Sequence, residues 1–156
     1  DGTIKLWNLI QKYCTHNFKN HIRGVIQTIT FAPKFTTDSY QIFASGDDYG
    51  IHVWNLIDSK HLCVLEGHES KVTEILFTAD HQYFISSSRD KLVIIWNWRT
   101  MQKYRTMAVY EAIETMILVS RKKFTEILKH SNQTDDDEQV FSRFFFFYVC
   151  DVCKMR

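Results

Sequence analysis

No apolar run in this chain reaches the roughly 18–20 residues that a membrane-spanning helix needs, and the opening residues are not expected to be a signal peptide. Charge of one sign is also missing. Lys+Arg number 19 against Asp+Glu 18, so no net field draws the chain toward nucleic acid or a membrane surface. Arg121, Lys122 and Lys123 are too few to make an RNA groove, and no glycine-rich loop of the phosphate-cradling kind is present. Proline occurs once and glycine five times, while aromatics are plentiful at 15%. The cysteines are few and scattered: Cys14, Cys63, Cys150 and Cys153. Three lie on or beside hydrophobic runs, which suits buried thiols in a reducing compartment. Cys150 and Cys153 have no second pair to complete a four-ligand zinc site. The acidic run Asp135, Asp136, Asp137 and Glu138 reads as a solvated loop. No metal and no cofactor is expected.

What is there is a repeat. Asp1, Asp48 and Asp90 are each followed by five residues and then a tryptophan, at Trp7, Trp54 and Trp96, with the copies 47 and then 42 residues apart. A period of this size marks a stacked array or a propeller. The clearest copy, residues 86–96, has a polar strand end, a tight turn at Arg89, Asp90 and Lys91, and a β-rich run closing on Trp96. Strands are predicted before each turn, over residues 41–45 and 83–88, and outer strands after it, over residues 61–65 and 104–107. An inner strand precedes these. Its apolar anchors recur as Ile26, Ile29, Phe31, then Val72, Ile75, Phe77, then Ile113, Met116, Leu118. The first step is three residues, not two, so a β-bulge is expected after the first anchor. Four short strands joined by tight turns predict an antiparallel meander. Such a meander, apolar on both faces, must stack on its neighbours.

These features resemble the WD repeat. Asp-x5-Trp is joined by Gly67 and His68, the latter 22 residues before Asp90. The unit ending at Trp54 has Asn20 and His21 in place of Gly-His, and Asn8, Asn55 and Asn97 follow the tryptophans where the family usually has Asp. The resemblance covers residues 1–120. It implies an all-β, partial WD-repeat β-propeller of about two full four-stranded blades plus partial blades, with an irregular C-terminal tail. Residues 1–16 are expected to end one blade, 17–60 and 61–103 each to form a blade, and 104–120 to start the next. Residues 121–139 form a polar, acidic loop. Residues 140–156, with four consecutive Phe, find no place in the pattern and are expected to be foreign to the family, for example intron read-through. The chain opens inside a unit, so a piece of a longer protein is expected, with open sheet edges that favour aggregation.

For site residues, the resemblance implies a hydrogen-bond relay of His68, Ser86 or Ser88, Asp90 and Trp96, with partial copies at Asp48 and Trp54 and at Asp1 and Trp7. An indole N–H only donates and a carboxylate only accepts, so Ser and His must link them. A catalytic triad would instead need an exposed nucleophile beside an oxyanion pocket. The residues before the turn aspartates, Asp47 and Arg89, point to one rim of a propeller, where partners dock. Two stretches are less generic: residues 13–18, continuing to Val25 and Phe31, and residues 88–114. They are similar to tandem-propeller subunits of the small-subunit processome. That likeness implies a nucleolar, non-catalytic scaffold acting in U3-dependent pre-rRNA processing and small ribosomal subunit biogenesis. Its partners would be other processome proteins and, indirectly, the particle of pre-rRNA and U3 small nucleolar RNA, with no membrane and no small-molecule substrate. The alternative is a generic WD-repeat adaptor, such as a ubiquitin-ligase substrate receptor or a signalling scaffold.

Overall fold

A computed structural model of the chain describes residues 2–19, 24–33, 40–79 and 81–118, and the backbone of residues 145–147. Every regular element among them is a strand. The first sheet pairs β1 (Ile4–Asn8) with β2 (Tyr13–Phe18). The first full blade is the four-stranded sheet β3 (Thr28–Phe31), β4 (Gln41–Ser45), β5 (Ile51–Asn55) and β6 (Lys60–Leu65), in sequence order. The second repeats it with β7 (Val72–Phe77), β8 (Tyr83–Ser88), β9 (Leu92–Asn97) and β10 (Gln102–Ala108). All these pairings are antiparallel. β11 (Met116–Leu118) follows, paired in parallel with β12 (Phe145–Phe147). The tail expected to be irregular therefore holds one short strand, on the Phe run; the rest of it, and the acidic loop, lie outside the described residues.

Local chemistry explains the repeat. The residue after each turn aspartate, Gly2, Tyr49 or Lys91, has positive φ, which closes the tight turn into the next strand. The residue before each outer strand, Lys12, Ser59 or Met101, does the same. The asparagine after each tryptophan holds that second turn. Asn8 Oδ1 accepts from the amides of Ile10 and Gln11 at 3.0 and 2.9 Å, Asn55 Oδ1 from Ile57 at 2.9 Å, and Asn97 Oδ1 from Thr100 at 3.0 Å. Asn thus supplies the carbonyl that a turn of this kind asks for.

The expected inner bulge is present. Val72 faces Ser88 and Glu74 faces Ser87, leaving Thr73 extra. In the first blade Gln27 N–H donates to Ser45 O at 2.9 Å while Thr28 also pairs with Ser45. A second bulge recurs on every outer strand. Trp7, Trp54 and Trp96 face Cys14, His61 and Lys103, and the next residue, Thr15, Leu62 or Tyr104, has no opposite number. Cuts at 16/17, 60/61 and 103/104 fall inside β2, β6 and β10. The sheet closes with its outer strand because a tight turn hairpins that strand onto the one before it.

The core lies between sheets. Phe43, Ile51, Val53 and Leu65 of the first blade meet Val72, Ile75, Phe84, Ile94 and Trp96 around the second. On the other face of the first blade, Ile42, Ala44, Trp54 and Leu56 pack on Ile4 and Phe18. On the far face of the second, Ile85 and Val93 pack on Ile113 and Met116. Middle strands such as β8 are buried on both faces, which is why no blade can stand alone.

Candidate functional site: the polar chains that tie each blade

The second blade carries a continuous relay. Trp96 Nε1–H donates to Ser86 Oγ at 2.8 Å, Ser86 Oγ lies 2.7 Å from His68 Nε2, and His68 Nδ1 lies 2.8 Å from Asp90 Oδ2. A carboxylate only accepts, so His68 donates from Nδ1 and accepts from the Ser86 hydroxyl. Asp90 also receives the amides of Glu69 at 2.9 Å and Leu92 at 2.8 Å. Burial pushes the His68 imidazole below its ordinary range against the pull of Asp90. Burial would raise the Asp90 carboxyl, but the Glu69 amide, His68 and the Leu92 amide together hold it below the usual carboxylate range. A neutral histidine beside an ionised aspartate is the state this geometry asks for.

Ser86 and Ser88 take different parts. Ser86 is the relay hydroxyl. Ser88 Oγ donates to Ser70 O at 3.2 Å and accepts the Asp90 amide at 3.1 Å, so it fixes the turn. Ser86 is 0% exposed with its hydroxyl engaged by Trp96 and His68. That arrangement gives a substrate no access to Oγ, whatever the resemblance of His, Ser and Asp to a triad.

The first blade is tied differently. Ala44 stands opposite His52 where Ser86 stands opposite Ile94, so the relay serine has no hydroxyl counterpart at that position. Instead His52 Nε2 donates to Asp48 Oδ2 at 2.8 Å, and His61 Nε2 lies 3.2 Å from His52 Nδ1. With His52 donating to the carboxylate, its Nδ1 accepts from His61. The chain runs from the outer strand, through β5, to the turn. Trp54 is sandwiched beside it, its ring 5.6 Å from His52 and 5.4 Å from His61. Sequence reasoning missed His52 and His61. The signal was Ala44 in the serine position, together with a histidine four residues after the turn aspartate.

The third copy is incomplete. Asp1 lies outside the described residues, as does His21 of the unit ending at Trp54, and Trp7 is 54% exposed against 1% for Trp54 and 2% for Trp96. Among the described residues β1 has a partner strand on one side only, so its tryptophan lacks the cover that a middle strand receives.

Asp47 and Arg89 both sit at blade joints. Asp47 accepts the Val25 amide at 2.8 Å and pairs with Lys71 at 3.3 Å. The Val25 amide and then Lys71 hold its carboxyl below the usual range. Gly24, with φ 75°, makes this approach possible, because a Cβ there would strike the Asp47 side chain. Arg89 pairs with Glu114 at 2.9 Å. The same turn position therefore bridges twice to the segment leading into the next inner strand, with the charges reversed. Both pairs remain open to solvent. Cys14 and Cys63 are free and half-buried, and burial pushes the Cys63 thiol up. Among the described residues, no group of three or more His, Cys, Asp or Glu is placed to hold a metal; Cys150, Cys153 and the acidic run lie outside them.

Residues 59–97 match the family model of the WD domain, G-beta repeat. The chain is 35% identical over 127 residues to transducin beta-like protein 3 of Bos taurus, covering 81% of this chain and 16% of that protein. It is 37% identical over 119 residues to transducin beta-like protein 3 of Rattus norvegicus, covering 76% and 14%. A probable coatomer subunit beta' of Schizosaccharomyces pombe is 31% identical over 97 residues, covering 62% and 12%. The chain thus spans only 12–16% of the length of these relatives.

Proposed function

The chain belongs to the WD-repeat β-propeller family, and from that premise we propose that it is a non-catalytic interaction scaffold of the small-subunit processome, acting in U3-dependent pre-rRNA processing in the nucleolus. The observation that carries this reading is the 35–37% identity to transducin beta-like protein 3 over 76–81% of the chain. That span takes in more than the generic repeat. The geometry supports a scaffold role because the relay residues are consumed in holding turns and strands, which leaves rims and edges as the surfaces on offer. Asp47 and Arg89 belong to the docking rim. Their ion pairs with Lys71 and Glu114 give it alternating charge and a fixed shape. Partners are other processome proteins, with the RNA particle held through them.

A generic adaptor is the second reading. It is favoured by the 31% identity to a probable coatomer subunit beta', since the repeat sits in proteins of unlike names. Affinity purification of the tagged whole protein, with its co-purifying proteins identified by mass spectrometry, separates the two. Processome proteins as the dominant set support the first; ubiquitin-ligase or coat subunits in their place sink it.

A further inference from the structure

We infer that the outer hairpin of the second blade, β9–β10, contacts an RNA backbone directly, an inference that rests on the scaffold reading above and adds to its protein partners a contact of the chain's own with the RNA. Residues 91–108 contain Lys91, Arg99, Lys103 and Arg105 and no acidic residue, in a chain whose net charge is only +1. All four are exposed, and among the described residues none takes part in an ion pair. The matching hairpin of the first blade, residues 49–66, carries Asp58 and Glu66 against Lys60. Two hairpins of the same register therefore differ in charge, and only one concentrates cations.

The bulge distributes that charge around the edge. Lys103 lies opposite Trp96, its ammonium 5.8 Å from the indole ring, while Arg105 lies opposite Ile95 on the other face. A flexible polyanion crossing the edge strand meets a cation on either side, and Arg99 meets it at the turn. Arginine adds a planar fork that matches phosphate oxygens. Between them Tyr104 is 51% exposed, its ring 4.9 Å from that of Tyr83, which offers a face on which a base can stack. An acidic protein surface fits less well. A protein interface is anchored by apolar or aromatic side chains in desolvated pockets, and apart from Tyr104, β10 exposes cations and small or polar groups.

The test is ultraviolet crosslinking of the tagged whole protein in its own cells, with crosslinked peptides mapped, for the wild type and for Arg99→Gln/Arg105→Gln. Lys103→Gln is made separately, because Lys103 also covers Trp96. RNA adducts on peptides from residues 91–108, reduced about tenfold in the double variant, are expected. The purified protein should bind single-stranded RNA with a salt slope shallower by about 1.4 in that variant, as for two lost phosphate contacts. If processome proteins co-purify but no adduct maps to this hairpin, or an acidic protein crosslinks there instead, the inference is overturned while the scaffold reading stands. If no processome protein co-purifies, the scaffold reading fails. The RNA titration then decides this inference alone, and binding unchanged in both variants overturns it.

Discussion

The two full blades share strand order, turns and bulges, yet they tie their turn aspartates to the rest of the blade by different polar chains. In the second blade a buried line runs Trp96, Ser86, His68, Asp90, reaching back to the loop before β7. In the first, the line is His61, His52, Asp48, running from β6 through β5 to the turn between β4 and β5. The turn aspartate and the tryptophan are common to both; what lies between them differs, Ser86 and His68 in the second blade and a histidine pair in the first. Where the first blade has Ala44 in the place of Ser86, it has His52 in the place of Ile94, stacked on Trp54 and bonded to Asp48.

The comparison is broken most severely by Ser86→Ala. It strands the Trp96 N–H and the His68 ring nitrogen in a buried site, at a cost of about 2–3 kcal/mol. Hydrogen exchange of the whole protein should show the amides of β8 and β9 losing about 30- to 100-fold protection, with β4 and β5 unchanged. Equal loss in both blades would mean that the sheets open as one unit.

Acid should separate the blades next. His68 is held below its ordinary 6.5, chiefly by burial. The unfolded chain therefore binds a proton that the folded second blade refuses. Stability from neutral His68 is complete above that value and is lost as pH falls through it toward the lowered folded value. Protection of β8 and β9, corrected for intrinsic exchange, should fall over that window, and His68→Gln should flatten the fall. A pH-independent wild type would contradict a neutral buried histidine.

His61→Ala removes the hydrogen bond to His52 at the half-buried start of β6 and should cost about 1 kcal/mol, less than Ser86→Ala. A loss as large would mean that the first blade depends on its histidine chain as fully as the second depends on its relay. Asn97→Ala should cost about 1 kcal/mol through its turn, and Asn55→Ala the same, because that turn is common to both blades. Smallest is the rim. Reversing Arg89 and Glu114 together should leave a thermal melt unchanged at physiological salt, since exposed pairs contribute little.

The periodicity of Asp-x5-Trp and the three-residue anchor step made blades, turns and the bulge at Thr73 legible, because each depends on neighbours within one strand or hairpin. The relay of His68, Ser86, Asp90 and Trp96 was legible only through resemblance. Three features were not. The His52–His61 contact depends on the bulge at Leu62, which sets His61 opposite Trp54. The exposure of Trp7 depends on how many strands flank β1. The ion pairs Asp47–Lys71 and Arg89–Glu114 join successive repeats with reversed charge, so aligning the repeats hides them. Sequence cuts also fell inside the outer strands, because the repeat unit and the sheet begin at different strands.

The scaffold account is tested most directly by recovering U3 small nucleolar RNA with the tagged whole protein, wild type against Asp47→Ala/Arg89→Ala, in high salt. The account predicts strong recovery with the wild type and loss with the rim variant, both blades keeping their amide protection. Wild-type protein that brings down its partners without that RNA would contradict it.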